Sequence, residues 1–248
     1  MKLSAFTFTH NCIIGGYPIR EAIGIMRGWV DEIVVVDCAS TDNTREVLKA
    51  EGCRVVSGEW GCEAETTLGK AHALAQASCE NDQLIHFEAD EIWEPSLLQA
   101  LITKMIDDGW REAVVHRIQI EQNFQRIRWN PHPVHRFFKR GQATKDPMRG
   151  HTTKEHDTVK NILSPDAGLI WDCSYCFKGN HIERMNQNAA LWGETPQYTR
   201  RTPNHFLEKP FAESLDAFMA EPQWEYQDTP LQIPGVLRHL VGKTKYPA

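Results

Sequence analysis

Gln83-Leu84-Ile85-His86-Phe87-Glu88-Ala89-Asp90-Glu91 is an apolar run that stops abruptly in acid. Its first five residues read as a buried strand. Glu88, Asp90 and Glu91 then crowd three carboxylates into four positions. Like charges at the end of a core strand repel one another, and burying any of them without a counter-charge is costly. A divalent cation would remove that cost. Hard cations such as Mg²⁺ or Mn²⁺ prefer carboxylate oxygens, and commonly take one or two of them together with substrate phosphates. A solvated acidic turn is the plain alternative, and this stretch alone does not choose between the two.

Outward from this stretch, the first half of the chain alternates strand and helix. Leu3 to Thr9, Glu32 to Asp37, Cys53 to Ser57, Gln83 to Phe87 and Ala113 to Ile120 read as strands. Pro18 to Trp29, the segment opened by Ser40 to Thr44, Glu63 to Ala77 and Pro95 to Asp108 read as helices. This order predicts an α/β fold: a mostly parallel sheet with right-handed crossovers, flanked by helices. In such sheets ligands bind beyond the carboxyl ends of the strands. Asp37 and the Glu88-Ala89-Asp90 group both lie at carboxyl ends, so both are expected to open onto one crevice.

Past residue 121 the alternation fails. Arg126 to Arg140 is rich in Arg, His and aromatics, Leu169 to Phe177 reads as a strand, and His181 to Trp192 reads as a helix. From Thr195 onward Pro is frequent. Residues 1–120 are therefore expected to form the ligand-binding α/β half. Residues 121–248 would form an irregular extension and wrapping segment, most simply within one continuous domain.

The bulk numbers narrow the classes. A length of 248 residues, 41% hydrophobic and 24% charged, is ordinary for a globular protein. A net charge of −6 argues against a nucleic-acid binder working through a basic surface. No stretch approaches the ~18 apolar residues that cross a bilayer, and the N-terminus is too polar for a signal peptide. A cytoplasmic protein is expected, with peripheral membrane contact left open. The seven Cys are mostly scattered, as reduced thiols are. Cys173 and Cys176 form a C-x-x-C with His181 nearby, but packed thiols are the simpler reading than zinc.

Three polar mouths converge on the expected crevice. The first strand ends near Thr9 and Asn11. The second ends in Val36-Asp37-Cys38-Ala39-Ser40-Thr41-Asp42-Asn43-Thr44, and the fourth in Glu88-Ala89-Asp90-Glu91. Asp37 is placed to accept hydrogen bonds from a ribose or a base edge, as an acid here does in other nucleotide-binding α/β folds. Ser40, Thr41 and Thr44 suit a helix cap.

This ordered pair of motifs resembles glycosyltransferase family 2, of the GT-A fold, and within it the small bacterial branch related to lipopolysaccharide-core sugar transferases. The family's usual wording is Val-Asp-(Ser/Asp)-Gly-Ser-Thr-Asp-Gly-Thr followed by Asp-Ala-Asp-Glu. Here Ala39 and Asn43 replace the glycines, which should alter the turn, and Glu88 replaces the first acid of the second motif. The resemblance covers residues 3 to 108 well. Beyond them, Arg136-Phe137-Phe138-Lys139-Arg140 is similar to an Arg-x-Phe-(Arg/Lys)-Arg strand of relatives, and Glu155-His156-Asp157 could stand for their His-Glu pair, with His151 competing.

The resemblance implies a metal-dependent sugar transfer, with inversion, from a nucleoside-diphosphate sugar of UDP or GDP type. The acceptor would be a carbohydrate, lipid-linked or other hydroxyl. Thr9, Asn11, Asp37, Ser40, Asp42, Lys70, Glu88 and Ala89 would line the nucleotide. Asp90, Glu88, His156 and His151 would hold the Mn²⁺ or Mg²⁺. Arg136 and Arg140, with Lys139 beside them, would face phosphate or acceptor. Asp157, Glu91 and Glu155 are the candidate general bases. Two other classes remain open. A nucleotidyltransferase would usually show a Gly-rich loop with a basic residue after the first strand, and His10 to Gly16 has none before Arg20. A degenerate, non-catalytic nucleotide-sugar-binding protein would fit the loss of an Asp at position 88.

Overall fold

The computed structural model describes residues 2–60, 64–121, 126–140, 160–175, 226–228 and 235–240. The strands are β1 (Leu3–Thr9), β2 (Glu32–Cys38), β3 (Arg54–Gly58), β4 (Gln83–His86), β5 (Glu91–Trp93), β6 (Ala113–Glu121), β7 (Arg126–Lys139), β8 (Ile170–Tyr175) and β9 (Tyr226–Asp228). The helices are α1 (Ile19–Arg27), α2 (Thr44–Ala50), α3 (Ala64–Ser78) and α4 (Pro95–Asp107).

One sheet carries all these strands, in the order β3-β2-β1-β4-β7-β6-β8-β5, with β9 paired to β7. β3, β2, β1 and β4 are mutually parallel, as the strand–helix alternation predicts. β1, β2 and β4 are buried on both sides because helices cover both faces, while β3 at the edge is partly exposed. Ala5, Val35 and Ile85 face one cluster with Ile19, Ile23 and Met26 of α1 and Leu98 and Leu101 of α4. Phe6, Val34, Val36 and Leu84 face a second cluster with Ala71 and Ala75 of α3.

Beyond β4 the sheet is mixed. β7 runs antiparallel to β4 and β6, β8 is parallel to β6, and β5 is antiparallel to β8. Two features were not anticipated from the sequence. Arg126 to Arg140 falls in the half expected to be an irregular extension. It is instead one long strand, and Pro133 lies opposite His116 beside a register irregularity at Arg117/Gln119, where a missing N–H is tolerated. The short β5 was hidden because it continues the acidic motif itself.

β4 and β5 are neighbours in the chain yet fourth and eighth in the sheet order. The Phe87–Asp90 turn therefore bridges the two sides of a curled sheet. β8 reaches its place through Gly168, at φ 131, where a Cβ would come within 2.8 Å of Leu97 N at the start of α4. The helix expected over His181 to Trp192 and the tail from Thr195 lie outside the described residues, apart from β9 and a 3-10 turn at Gly235–Leu240. No helix among the described residues is long and apolar enough to cross a membrane.

Candidate active site

The parallel strands deliver their carboxyl ends to one edge. There the loop after β1 is stitched to the loop after β2. Asn11 adopts φ 48, and its Oδ1 accepts the N–H groups of Thr41 at 2.7 Å and Asp42 at 3.3 Å. The Asn11 N–H donates to Ser40 Oγ at 2.8 Å. Asp42 Oδ2 accepts from the Ile14 N–H at 2.9 Å and Oδ1 from the Thr44 N–H at 3.0 Å. Asn11, Ser40 and Asp42 thus build the loops, and these hydrogen bonds engage the polar groups expected to meet a nucleotide. Ala39 takes φ 52, the left-handed conformation a glycine adopts freely, so the substitution leaves strain in the backbone there. Asn43, at φ −78, needs no glycine.

Asp37 is buried at the same edge. Its Oδ1 accepts from the Ser40 N–H at 3.4 Å, and its Oδ2 lies 3.1 Å from Arg45 Nη1. Arg45 also donates to Ser57 Oγ at 3.0 Å. Next to it the His10 ring stacks on Trp60, with centroids 4.4 Å apart and planes within 4°. His10 Nδ1 is 2.6 Å from the Cys38 carbonyl, which can only accept, so Nδ1 carries the proton. Asn11 Nδ2 lies 3.1 Å from Nε2. The Thr9 side chain is buried beneath these loops.

The acidic turn is held by two arginines. Arg136 Nη2 lies 2.7 Å from Glu88 Oε1 and 2.6 Å from Glu91 Oε1. Arg117 Nη1 lies 3.5 Å from Glu88 Oε2, 3.3 Å from Glu91 Oε1 and 3.3 Å from Asp172 Oδ2 of β8. Burial works against the charge on both guanidinium groups. The carboxylates more than offset it and hold both pKa values above the ordinary arginine range. Glu91 Oε2 also accepts the Glu88 N–H at 3.1 Å, and the Asp90 carbonyl accepts the Cys173 N–H at 2.8 Å. The counter-charge that the strand end demands is therefore supplied, in large part, by protein cations.

The expected site residues have these surroundings. Glu91 has no solvent-exposed surface and is bound to two arginines. Arg136 is 2% exposed and faces Glu88 and Glu91, not a phosphate. Arg140 lies at the opposite end of the sheet, because β7 runs antiparallel to β4. Its Nη2 donates to the carbonyls of Cys79 at 2.6 Å and Asn81 at 2.8 Å, before β4 begins. Lys139 is exposed at that same end, paired with Gln83. Lys70 is exposed on α3. The Ala89 methyl is buried in the core. His151, Glu155, His156 and Asp157 lie outside the described residues, as do Cys176 and His181, while the Cys173 thiol is buried.

Sequence reading missed Arg45, Arg117 and Asp172. Arg117 had a signal: a lone cation inside the apolar run Val114 to Ile120. For a cation, the fit is partial. Asp90 is half-buried, and the Glu88 side chain is 25% exposed. Among the described residues no cluster of three His, Cys, Asp or Glu could cage a metal. A hard cation here would need substrate phosphates to complete its shell.

Residues 19–179 match the family described as Glycosyl transferase family 2. The chain belongs to that family. This family-2 protein is 34% identical over 202 residues to an uncharacterized glycosyltransferase of Rickettsia felis, a match spanning 77% of this chain and 67% of that relative. A Rickettsia conorii glycosyltransferase, also uncharacterized, is 33% identical over 204 residues, with the same coverage. Among solved structures, S. aureus TarS is similar with a TM-score of 0.49 and 15% identity, over 77% of this chain and 39% of that one. Glucosyl-3-phosphoglycerate synthase from Mycobacterium tuberculosis, in complex with Mn²⁺, UDP and glucosyl-3-phosphoglycerate, is similar with a TM-score of 0.36 and 22% identity, over 46% of this chain and 43% of that one. As a family-2 glycosyltransferase, the protein is a transferase built on the expected α/β architecture.

Proposed function

We propose that this family-2 enzyme moves a sugar from a nucleoside-diphosphate sugar to an acceptor hydroxyl, with inversion and with a divalent cation. One observation carries the reading. Asp37 at the carboxyl end of β2 and the Glu88–Asp90 turn after β4 share the carboxyl edge on either side of β1. Two strand spacings separate β2 from β4, about 10 Å, a span suited to a nucleotide lying across the edge with its diphosphate toward the turn.

Asp37 would accept from the ribose or base, with Arg45 fixing its carboxylate. Asp90 and Glu88 would hold the cation, which when bound offsets the charge that builds on the leaving diphosphate. Arg117 and Arg136 keep the turn in shape. Lys70 is a candidate second cation for the phosphates. Asp157 or Glu155 would take the acceptor proton, and His151 or His156 would assist at cation or phosphate. The donor would be of UDP or GDP type, and the acceptor a carbohydrate, lipid-linked or other hydroxyl.

Thermal stabilisation by UDP, GDP and CDP, with and without Mn²⁺, tests the donor half. Release of nucleoside diphosphate from the matching sugars tests transfer. Stabilisation that needs Mn²⁺ and vanishes in Asp90→Ala supports the reading. Binding indifferent to both metal and Asp90→Ala would sink it.

A further inference from the structure

We infer that His86 is a positioning residue for the acidic turn: its Nδ1 holds the Arg136 guanidinium at the angle from which Nη2 grips Glu88 and Glu91. The inference rests on the donor-site reading above, and its first test is read without nucleotide, so that the two can fail separately. His86 closes β4, and the antiparallel register of β4 with β7 sets Gln83 against Lys139, Leu84 against Phe138 and Ile85 against Phe137. The next step of that register brings His86 opposite Arg136, on the face that Leu84 and Phe138 share. Arg136 Nη1 lies 3.3 Å from His86 Nδ1. A guanidinium only donates, so Nδ1 is the acceptor and carries no proton.

Arg136 grips the turn through one nitrogen. Nη2 alone meets both Glu88 Oε1 and Glu91 Oε1, at 2.7 and 2.6 Å. Arg136 Nε has no hydrogen-bond partner among the described residues. A guanidinium commonly meets a carboxylate with two nitrogens in parallel. Turned that way, Nη1 would draw one of these carboxylates off Nη2, and the turn would follow. His86 withholds Nη1 from that use. The imidazole is itself fixed. It stacks on Phe6 of β1, with centroids 5.1 Å apart and planes within 20°, and meets His72 of α3 edge-on at 4.7 Å and 89°. At 1% exposure His86 sits where a hydrogen bond to a charged group is strong. Position is thus passed from β1 and α3 through His86 and Arg136 to Glu88 and Glu91, the residues that flank Asp90. The Asp90 carbonyl, bonded to the Cys173 N–H at 2.8 Å, is the far end of this chain of contacts.

Leu and Asn share one branched shape, and only Asn offers an acceptor near the place of Nδ1. His86→Leu and His86→Asn therefore separate the hydrogen bond from the loss of the ring. Amide hydrogen exchange of the nucleotide-free proteins reads the turn at two N–H groups: Glu88, which donates to Glu91 Oε2, and Cys173, which donates to the Asp90 carbonyl. In His86→Leu both are expected to exchange about tenfold faster than in wild type, with the Val34–Val36 amides of β2 unchanged. In His86→Asn both should return close to wild type. Arg136→Lys keeps a charge at the carboxylates and gives up the Nη1 contact, so it should repeat the acceleration, and it serves if His86→Leu does not fold. With a sugar nucleotide that the wild type turns over, kcat should fall about tenfold in His86→Leu and recover in His86→Asn. Wild-type exchange at Glu88 and Cys173 in His86→Leu or Arg136→Lys overturns the inference. So does equal acceleration in His86→Leu and His86→Asn, acceleration that extends evenly to β2, or a His86→Leu with wild-type kcat. A wild type that binds no nucleoside diphosphate sinks the donor reading instead, while the exchange rates still decide the role of His86.

Discussion

Arg136 Nη2 lies 2.6 Å from Glu91 Oε1, and both side chains are closed off from solvent. A pair so placed stabilises less than its geometry suggests, because both ions have left water. Its loss on one side is another matter. Arg136→Met leaves buried Glu91 with Arg117 as its remaining arginine and is expected to cost about 3 kcal/mol. The double variant Arg136→Met/Glu91→Leu should recover much of that, since an apolar replacement for both partners is often neutral. Urea denaturation of the three proteins decides it. A single variant as stable as wild type would contradict the assignment of Glu91 as a buried anion.

Ala39→Gly should raise stability. Ala39 holds φ 52, where a Cβ costs about 1–2 kcal/mol, and the extra freedom of glycine in the unfolded chain returns part of that. A net gain of about 0.5–1 kcal/mol is expected from the shift in denaturation midpoint. A loss would show that the strain is relieved elsewhere in the loop.

Arg140→Ala should leave nucleotide and cation binding unchanged. Arg140 closes the carbonyls of Cys79 and Asn81 at the far end of β4. Stability should fall by about 1–2 kcal/mol as those acceptors lose a charged donor. A tenfold loss of diphosphate affinity at unchanged stability would return Arg140 to the active site.

The buried thiols make the fold sensitive to base. Burial pushes Cys12 up to about 11 and Cys38, Cys53 and Cys79 up to about 12, from an ordinary 9.0. The unfolded chain therefore releases these protons first as pH rises. Stability is fully present below about pH 9 and falls between pH 9 and 12, by up to about 1.4 kcal/mol per thiol per pH unit. Denaturation series across that window check the slope. The same thiols should resist maleimide at pH 8 until the protein is unfolded.

What could be read from the sequence follows from how far apart the partners lie. Asp37 and the Glu88–Asp90 turn were legible together because parallel strands carry every carboxyl end to one edge, whatever the side-chain detail. The answer to the acidic crowding was not. Arg136 stood in a motif that suggested a phosphate contact, and the antiparallel course of β7 turned it onto Glu88 and Glu91 while sending Arg140 to the opposite end. Arg117 and Asp172 meet through the parallel pairing of β6 and β8, which no local pattern specifies. The hydrogen bonds of Asn11, Ser40 and Asp42 run between loops, a use that depends on the φ of Asn11.

The turn that bridges β4 and β5 also carries a kinetic consequence. Those strands are adjacent in the chain, but β7, β6 and β8 must all be laid down between them before Glu91 finds Asp172 opposite it. Loop closure over such separations is slow, because the entropy is lost before the contacts form. The acidic turn should be among the last parts of the molecule to acquire its final shape. A nascent chain that has emerged only through α4 would already hold the parallel strands, yet have no organised place for a cation.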